Sequence, residues 1–175
     1  MTRLNPPALR ILAIDPFVSG IGFVAIEGSE NLIDWGLRTV RGEKNPACLR
    51  VVEALILRYS PNVILVENCQ VKGCRRRQRT RDLIEDIEAL VKAREAKCRR
   101  VTRLAVQKVF SQYGASTKHQ IASELAERFP ELARHLPRPR KPWASEDARM
   151  SIFDALALAA TSIKKEDNKS PLRCQ

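Results

Sequence analysis

Short apolar runs separated by turn-forming residues dominate the first forty positions of the chain. Residues 10–15 ("RILAID") and 21–27 ("IGFVAIE") predict two strands joined by a glycine-containing turn. Residues 32–40 ("LIDWGLRTV") predict a third strand directly after them. The chain is therefore expected to open with a three-stranded meander.

Helical and strand patterns alternate after this point. Apolar residues at helical spacing predict a helix over 47–59, and the break "SPN" precedes a β-branched run, 63–67, that predicts a buried strand. A one-sided apolar stripe predicts a second helix over 82–93, and 98–104 is the expected next strand.

The last third of the chain predicts two further helices. The first has Ser116 as its N-cap and carries an apolar face through Phe129. Prolines exclude a helix over 136–143, and the last helix is expected to begin near Ser145 and to include "IFDALALAATSI". This order of elements predicts a mixed α/β layer fold, with one domain over 1–163 and a polar, frayed tail over 164–175.

Composition adds a partner class to this picture. Among 175 residues, 31 are Lys or Arg and 20 are Asp or Glu, which gives a formal net charge of +11. Such an excess favours a polyanionic partner such as nucleic acid, although a basic protein without one is the plain alternative. The sequence has no apolar run of about 20 residues and no secretion-signal core, so a cytoplasmic protein without a membrane partner is expected. The five cysteines lack CxxC spacing and are read as reduced thiols.

Three acidic residues interrupt segments that should be buried. Asp15 ends the apolar run "ILAI", Glu67 ends "VILV", and Asp154 lies within the apolar helix "SIFDALALAA". Each one alone is explained as well by a role as a turn or cap residue as by a functional role. Together they suggest a metal site, because buried carboxylates need compensation and hard oxygen ligands suit Mg²⁺ or Mn²⁺. Two such ions could promote hydrolysis of a phosphodiester.

Four segments resemble the landmark segments of the RuvC-type Holliday junction resolvases, which have an RNase H-like fold. They are "ILAIDPFVSGIGFVAI", "VILVENCQ", "VTRLAVQKVFSQYGASTKHQI" and "FDALALAA", in the family's order and within residues 10–163. The resemblance implies a five-stranded mixed sheet flanked by helices, with three antiparallel strands followed by parallel ones. It also implies a homodimer that binds a four-way DNA junction, acts in DNA recombination and repair, and cleaves paired phosphodiesters with Mg²⁺, or Mn²⁺ in its place.

The same resemblance assigns the site residues. Asp15, Glu67 and Asp154 match the family's metal ligands, and Lys118 matches a catalytic lysine, which is otherwise a solvated residue in the first turn of a helix. A cation there would stabilise charge that develops on the phosphate.

Three features depart from the family. The second aspartate of the "DALA" segment is replaced by Ser151, so Asp147, or Glu146 beside it, is a candidate substitute ligand, unless these acids only favour the start of the helix. A lysine of the family falls one place away, at Lys108. No aromatic wedge residue follows Glu67.

A strongly basic segment takes the place of that wedge. Its six cations are Lys72, Arg75, Arg76, Arg77, Arg79 and Arg81, with no acid among them. We expect these residues to bind phosphates in a salt-dependent manner that reads no sequence, rather than to form only a solvated loop. A second basic group is formed by Arg138, Arg140 and Lys141. Contact with phosphates and a solvated loop explain this group equally well.

Alternative functions stay open at this point. A binding module that kept the fold and lost catalysis would explain Ser151 and the missing wedge. A related nuclease could instead act on another branched DNA or on structured RNA. An actin-like ATPase is disfavoured, because Phe17 stands where a glycine is needed and no second phosphate loop follows.

Overall fold

The computed structural model describes residues 8–167 and contains one five-stranded sheet in the order β3-β2-β1-β4-β5. Strands β1, β2 and β3 pair antiparallel, whereas β4 pairs parallel with β1, and β5 pairs parallel with β4. The predicted fold class, an RNase H-like mixed sheet with three antiparallel strands and then parallel ones, is therefore confirmed.

The elements follow one another in the predicted order, with two additions: a short helix after the last strand and a 3₁₀ turn. The strands are β1 (Arg10–Phe17), β2 (Gly20–Glu27), β3 (Asn31–Thr39), β4 (Val63–Glu67) and β5 (Lys97–Val101). The helices are α1 (Lys44–Tyr59), α2 (Gln78–Ala93), α3 (Arg103–Ser111), α4 (Lys118–Arg128) and α5 (Met150–Asp167), with a 3₁₀ turn over Pro130–His135.

The two faces of the sheet form separate cores because successive side chains of a strand point to opposite sides. Ile11 and Ala13 of β1 face a core that α3, α4 and α5 complete. Leu12 and Ile14 face the other core, which α1 and α2 complete. The sheet is thus covered by helices on both sides, and its central strands are apolar on both faces.

Several predicted boundaries are corrected by the structure, among them the starts of α1 and α2, which lie at Lys44 and Gln78 rather than at 47 and 82. The strand predicted over 98–104 ends at Val101, because Thr102 caps a helix, α3, by accepting a hydrogen bond from the Ala105 amide at 3.1 Å. Helix α4 is capped by Thr117 rather than Ser116, in a capping box with Gln120. The last helix begins at Met150 and not near Ser145.

The structure describes the tail predicted over 164–175 only as far as Asp167. Helix α5 continues to that residue, and the rest of the predicted tail, 168–175, lies outside the described residues together with Cys174. Cys48, Cys69, Cys74 and Cys98 are free thiols. Between residues 8 and 167, no helix is both long and apolar enough to cross a membrane.

Close packing of α5 on β2 positions the acidic end of the sheet. Gly22 pairs with Asp15 across the β1–β2 ladder, and a Cβ on Gly22 would lie 2.6 Å from the backbone of Ser151. Only glycine permits this approach, which brings the first turn of α5 against the end of β1.

Replacing Gly22 with alanine should lower the free energy of unfolding by about 1–3 kcal/mol, the usual cost of overpacking a core. Urea denaturation measures this loss. Gly73→Ala is the matched control, because Gly73 has φ +88° but nothing within 4 Å of its missing Cβ. Its loss should be smaller, about 1 kcal/mol from backbone strain alone. Equal losses in the two variants would contradict close packing at Gly22.

Candidate active site

Asp15 and Glu67 lie side by side at the end of the sheet. Strands β1 and β4 pair Ile11 with Val63 and Ala13 with Leu65, and the same register continued by two residues brings Asp15 level with Glu67. Side chains alternate between the two faces of a strand, and Asp15 and Glu67 both fall on the face that α5 covers. The two carboxylates predicted to meet are therefore neighbours.

Helix α5 adds two polar side chains to this point. The Ser151 hydroxyl lies 2.5 Å from Oδ2 of Asp15 and 2.7 Å from its carbonyl oxygen. Asp154 is three residues later and thus on the same face of the helix. Asp15, Ser151 and Asp154 are all buried. Ser151, where the resemblance leads one to expect a second aspartate, therefore binds the first-strand carboxylate directly.

Arg76 joins the two strand carboxylates. Its Nε donates to Oε2 of Glu67 at 2.7 Å, and its Nη2 pairs with both Glu67, at 2.6 Å, and Oδ1 of Asp15. Its Nη1 donates to the Pro16 carbonyl at 3.0 Å. The Arg76 side chain is only 20% exposed. This arginine, predicted to bind DNA phosphates, is thus part of the acidic site.

A second ion-pair group surrounds Asp154. Oδ1 of Asp154 accepts from Arg103 at 2.9 Å, and Oδ2 accepts from Lys118 at 2.8 Å. Lys118 also donates to Glu146 at 2.9 Å. Helices α3 and α4 therefore supply cations from their first residues, and the predicted catalytic lysine does lie beside the predicted helix ligand.

The electrostatics of Asp15 link the two groups. Burial raises the pKa of Asp15 from 3.8 to about 7, against the lowering effect of Arg76, while the charge of Asp154 raises it further. Burial and the charge of Asp154 also raise the pKa of Glu146. These like-charge effects mean that Asp15, Asp154 and Glu146 belong to one electrostatic site.

Asp147 has a different partner from the other acids. Its carboxylate accepts from the Arg149 side chain at 2.6 Å and from the Arg149 amide at 2.9 Å, and these contacts lower its pKa. Asp147 lies before the first residue of α5, Met150. Of the two candidate substitutes for a ligand at position 151, Glu146 is the one connected to Asp154 through Lys118.

The acids do not form a metal site in the arrangement that the structure has. Among residues 8–167, no three His, Cys, Asp or Glu side chains are placed so that they could hold a metal ion. Arg76 pairs with both Asp15 and Glu67, and Lys118 pairs with both Glu146 and Asp154. Arg103 pairs with Asp154 alone. The oxygen donors suit Mg²⁺ chemically, but the cations present occupy them.

The basic segment after Glu67 has two structural roles. Arg79 donates to the Phe17 and Val18 carbonyls at 3.1 and 3.0 Å, and Arg81 donates to the Cys74 and Arg76 carbonyls at 2.5 and 3.1 Å. These two arginines hold the turn after β1 and the loop before α2. The exposed members of the set are Lys72, Arg75 and Arg77, with Lys108 exposed on α3.

A cleft of about 580 Å³ leads to Asp15 and is lined by residues that include Arg75, Arg77, Arg140 and Glu146. The loop before α5 places Arg138, Arg140 and Lys141 at the surface, together with Trp143, which is 81% exposed. Both predicted basic groups therefore reach the surroundings of the acidic site.

Comparison with known structures identifies the architecture. RuvC of T. thermophilus in complex with a Holliday junction substrate matches with a TM-score of 0.66 at 13% identity, over 93% of this chain and 98% of that one. The chain has the RuvC fold. A second Thermus thermophilus RuvC structure matches with a TM-score of 0.61 at 16% identity, over 91% of this chain and 97% of that one.

The RuvC fold also appears in a eukaryotic neighbour. The yeast mitochondrial Holliday junction resolvase Ydc2 matches with a TM-score of 0.64 at 12% identity, over 92% of this chain and 82% of that one. No protein-family model and no curated protein matches the sequence. The relation to RuvC is therefore one of fold, as the landmark segments predict.

Two members of the site are not identified by the sequence pattern. Arg103 falls in a segment predicted as strand, although Thr102 followed by Val106 and Phe110 carries the signal of a capped amphipathic helix. Arg76 lies among basic neighbours, and no periodic signal distinguishes it from them. Its role follows from the path of the loop in three dimensions.

The raised pKa of Asp15 predicts how stability depends on pH. Between pH 3.8 and about pH 7 the folded protein holds a proton that the unfolded chain has released, so the free energy of unfolding should fall as pH rises. Asp15→Asn should weaken this dependence, because the amide does not ionise. Urea denaturation across the same pH range measures it, with Asp86→Asn, which removes an exposed carboxylate of α2, as the control. Parallel curves for wild type and Asp15→Asn would contradict the shift.

Proposed function

We propose that this protein is a structure-selective endonuclease that binds four-way DNA junctions and cleaves phosphodiester bonds at the site formed by Asp15, Glu67, Asp154 and Lys118. The observation that carries the proposal is the alignment of Asp15 with Glu67 on adjacent parallel strands, with Asp154 and Lys118 brought beside them by helices. These residues are far apart in sequence. Packing alone does not favour four charged groups in one place, because burying charge is costly.

The residues present can position and stabilise a phosphate. Lys118 is the first residue of α4, where the positive end of the helix dipole adds to its own charge. Arg103 is the first residue of α3 and donates to the carboxylate of Asp154, as Lys118 does. A scissile phosphate at this point would meet two cations and two helix N-termini, which stabilise charge that develops on its oxygens.

The fold gives further support for the choice of substrate. Its neighbours include a RuvC bound to a Holliday junction and a mitochondrial Holliday junction resolvase. Cutting a junction into two duplexes requires two sites, so a homodimer is part of the proposal. Mg²⁺, or Mn²⁺ in its place, is the proposed cofactor, and when bound such an ion would supply Lewis-acid stabilisation of the phosphate oxygens.

A second candidate function is junction binding without cleavage. The specific observation in its favour is the pairing of Arg76 with Asp15 and Glu67. This pairing neutralises two of the acids that would otherwise bind a metal ion. Ser151 supports it as well, since a hydroxyl bound to Asp15 stands in place of a fourth carboxylate. Such a protein would recognise branched DNA through its basic surface alone.

Cleavage of a labelled synthetic junction in the presence of Mg²⁺ or Mn²⁺ decides between the two functions. Wild-type protein should make paired cuts on opposing strands. Asp15→Asn and Glu67→Gln should bind the junction normally but cut it slower by about two orders of magnitude or more, because they remove charges at the reacting centre. Glu85→Gln, an exposed substitution on α2, is the control. Binding without any cut by wild type would establish the second candidate, and full activity of both variants would refute the site.

The exposed cations near the cleft should supply much of the affinity for DNA. Replacing Lys72, Arg75 and Arg77 with alanine should weaken junction binding and reduce the slope of log affinity against log salt by about 0.9 for each phosphate that is no longer neutralised. Fluorescence anisotropy at several salt concentrations measures both quantities.

A matched control for this variant removes three exposed cations from the α1–α2 layer: Arg50, Arg58 and Lys92. It has the same net charge as the test variant, so any difference between them reflects position. An equal drop in affinity and in salt slope for the two triple variants would mean that overall charge, rather than this surface, attracts the DNA.

A further inference from the structure

Arg76 pairs with both Asp15 and Glu67, the two strand carboxylates that would hold a divalent ion. Its guanidinium contacts one oxygen of each carboxylate, and Asp15 and Glu67 have side chains only 3% and 12% exposed. Two carboxylates this close and this buried are both ionised only when a cation lies with them, since otherwise one of them retains a proton. In the structure that cation belongs to the chain itself.

We propose that Arg76 is an internal counter-ion that competes with divalent metal for the carboxylates of Asp15 and Glu67, so that the site binds metal only when this side chain moves out. The inference rests on the proposed function only in that it concerns the same carboxylates. It would hold equally for a protein that binds metal and never cuts DNA.

The contacts of Arg76 show that the arrangement is built rather than incidental. All three guanidinium nitrogens donate to chain oxygens, those of Glu67, Asp15 and Pro16. Arg81 in turn donates to the carbonyl oxygen of Arg76 at 3.1 Å, which fixes the backbone of the loop that carries it. An arginine fixed at both ends places its charge reproducibly.

The site also has the features needed for exchange with an ion. Oε1 of Glu67 has no hydrogen-bond partner within residues 8–167, and the cleft of about 580 Å³ connects Asp15 with the surface. Arg76 lies in a loop between β4 and α2 and not within either element. Its side chain can therefore leave while the strand that carries Glu67 stays paired.

Binding of Mn²⁺ alone, in the absence of DNA, tests the competition. Titration calorimetry or Mn²⁺ electron paramagnetic resonance should show that Arg76→Gln binds Mn²⁺ at least about tenfold more tightly than wild type, where one tenfold step equals about 1.4 kcal/mol. Arg50→Gln removes the same charge from an exposed position of α1 that does not line the cleft, and should leave Mn²⁺ affinity unchanged. Equal affinity in wild type and Arg76→Gln would overturn the proposal.

A second variant and a wild-type measurement keep the test independent of the stability of Arg76→Gln. The double variant Arg76→Gln/Glu67→Gln removes one carboxylate with the cation, so it should fold and should not gain Mn²⁺ affinity. In wild-type protein with ¹⁵N-labelled arginine, saturating Mg²⁺ should shift the Nε–H resonance of Arg76. It should also speed the exchange of that proton with solvent. An unchanged resonance at saturation, or a gain of affinity in the double variant equal to that of the single one, would refute competition.

These measurements separate the inference from the proposed function. Metal competition without junction cleavage would leave the inference standing and refute the nuclease. Junction cleavage by a wild-type protein whose Arg76 never releases Glu67 would do the opposite.

Discussion

Burial of the Asp15 carboxylate is the constraint on which the rest of this structure depends. An ionised acid at the end of a central strand is costly unless cations and hydrogen-bond donors approach it. Gly22 allows α5 to come close enough for Ser151 to donate, and the loop after β4 returns far enough for Arg76 to reach it. The packing of the last helix and the path of that loop therefore both supply hydrogen-bond or ion-pair partners to one buried acid.

Much of the fold can be read from the sequence because it rests on periodicity. Alternation and apolar runs locate all five strands, and the parity of Asp15 and Glu67 follows from the strands that they end. The exception is the segment "CRRVTRL", in which β5 ends and α3 begins within two residues. A window of that length contains too little of either period to divide it, and only the cap at Thr102 marks the change.

The acids of the candidate site are predictable from the sequence, as is Lys118 through the family resemblance, whereas Arg76 and Arg103 are not. Buried carboxylates are conspicuous in sequence because they interrupt apolar segments, whereas an arginine among arginines is not. Arg76, Arg79 and Arg81 look alike along the chain, yet one pairs with the acids and two hold backbone carbonyls. Which role each one takes depends on where the loop passes relative to strands β1 and β4, and that is set by tertiary packing rather than by any local preference.

The balance of charge within the site makes an acidic cluster compatible with the proposed polyanionic substrate. Asp15, Glu67, Glu146 and Asp154 would together repel a phosphate, but Arg76, Arg103 and Lys118 pair with them and leave a near-neutral surface. Exposed cations such as Arg75 and Arg77 would then determine the field that the proposed DNA substrate meets at the mouth of the cleft. Because low dielectric strengthens interactions among buried charges, movement of one internal cation would change the local potential more than removal of any surface residue. The internal cations are thus as much a part of the site as the acids that they neutralise.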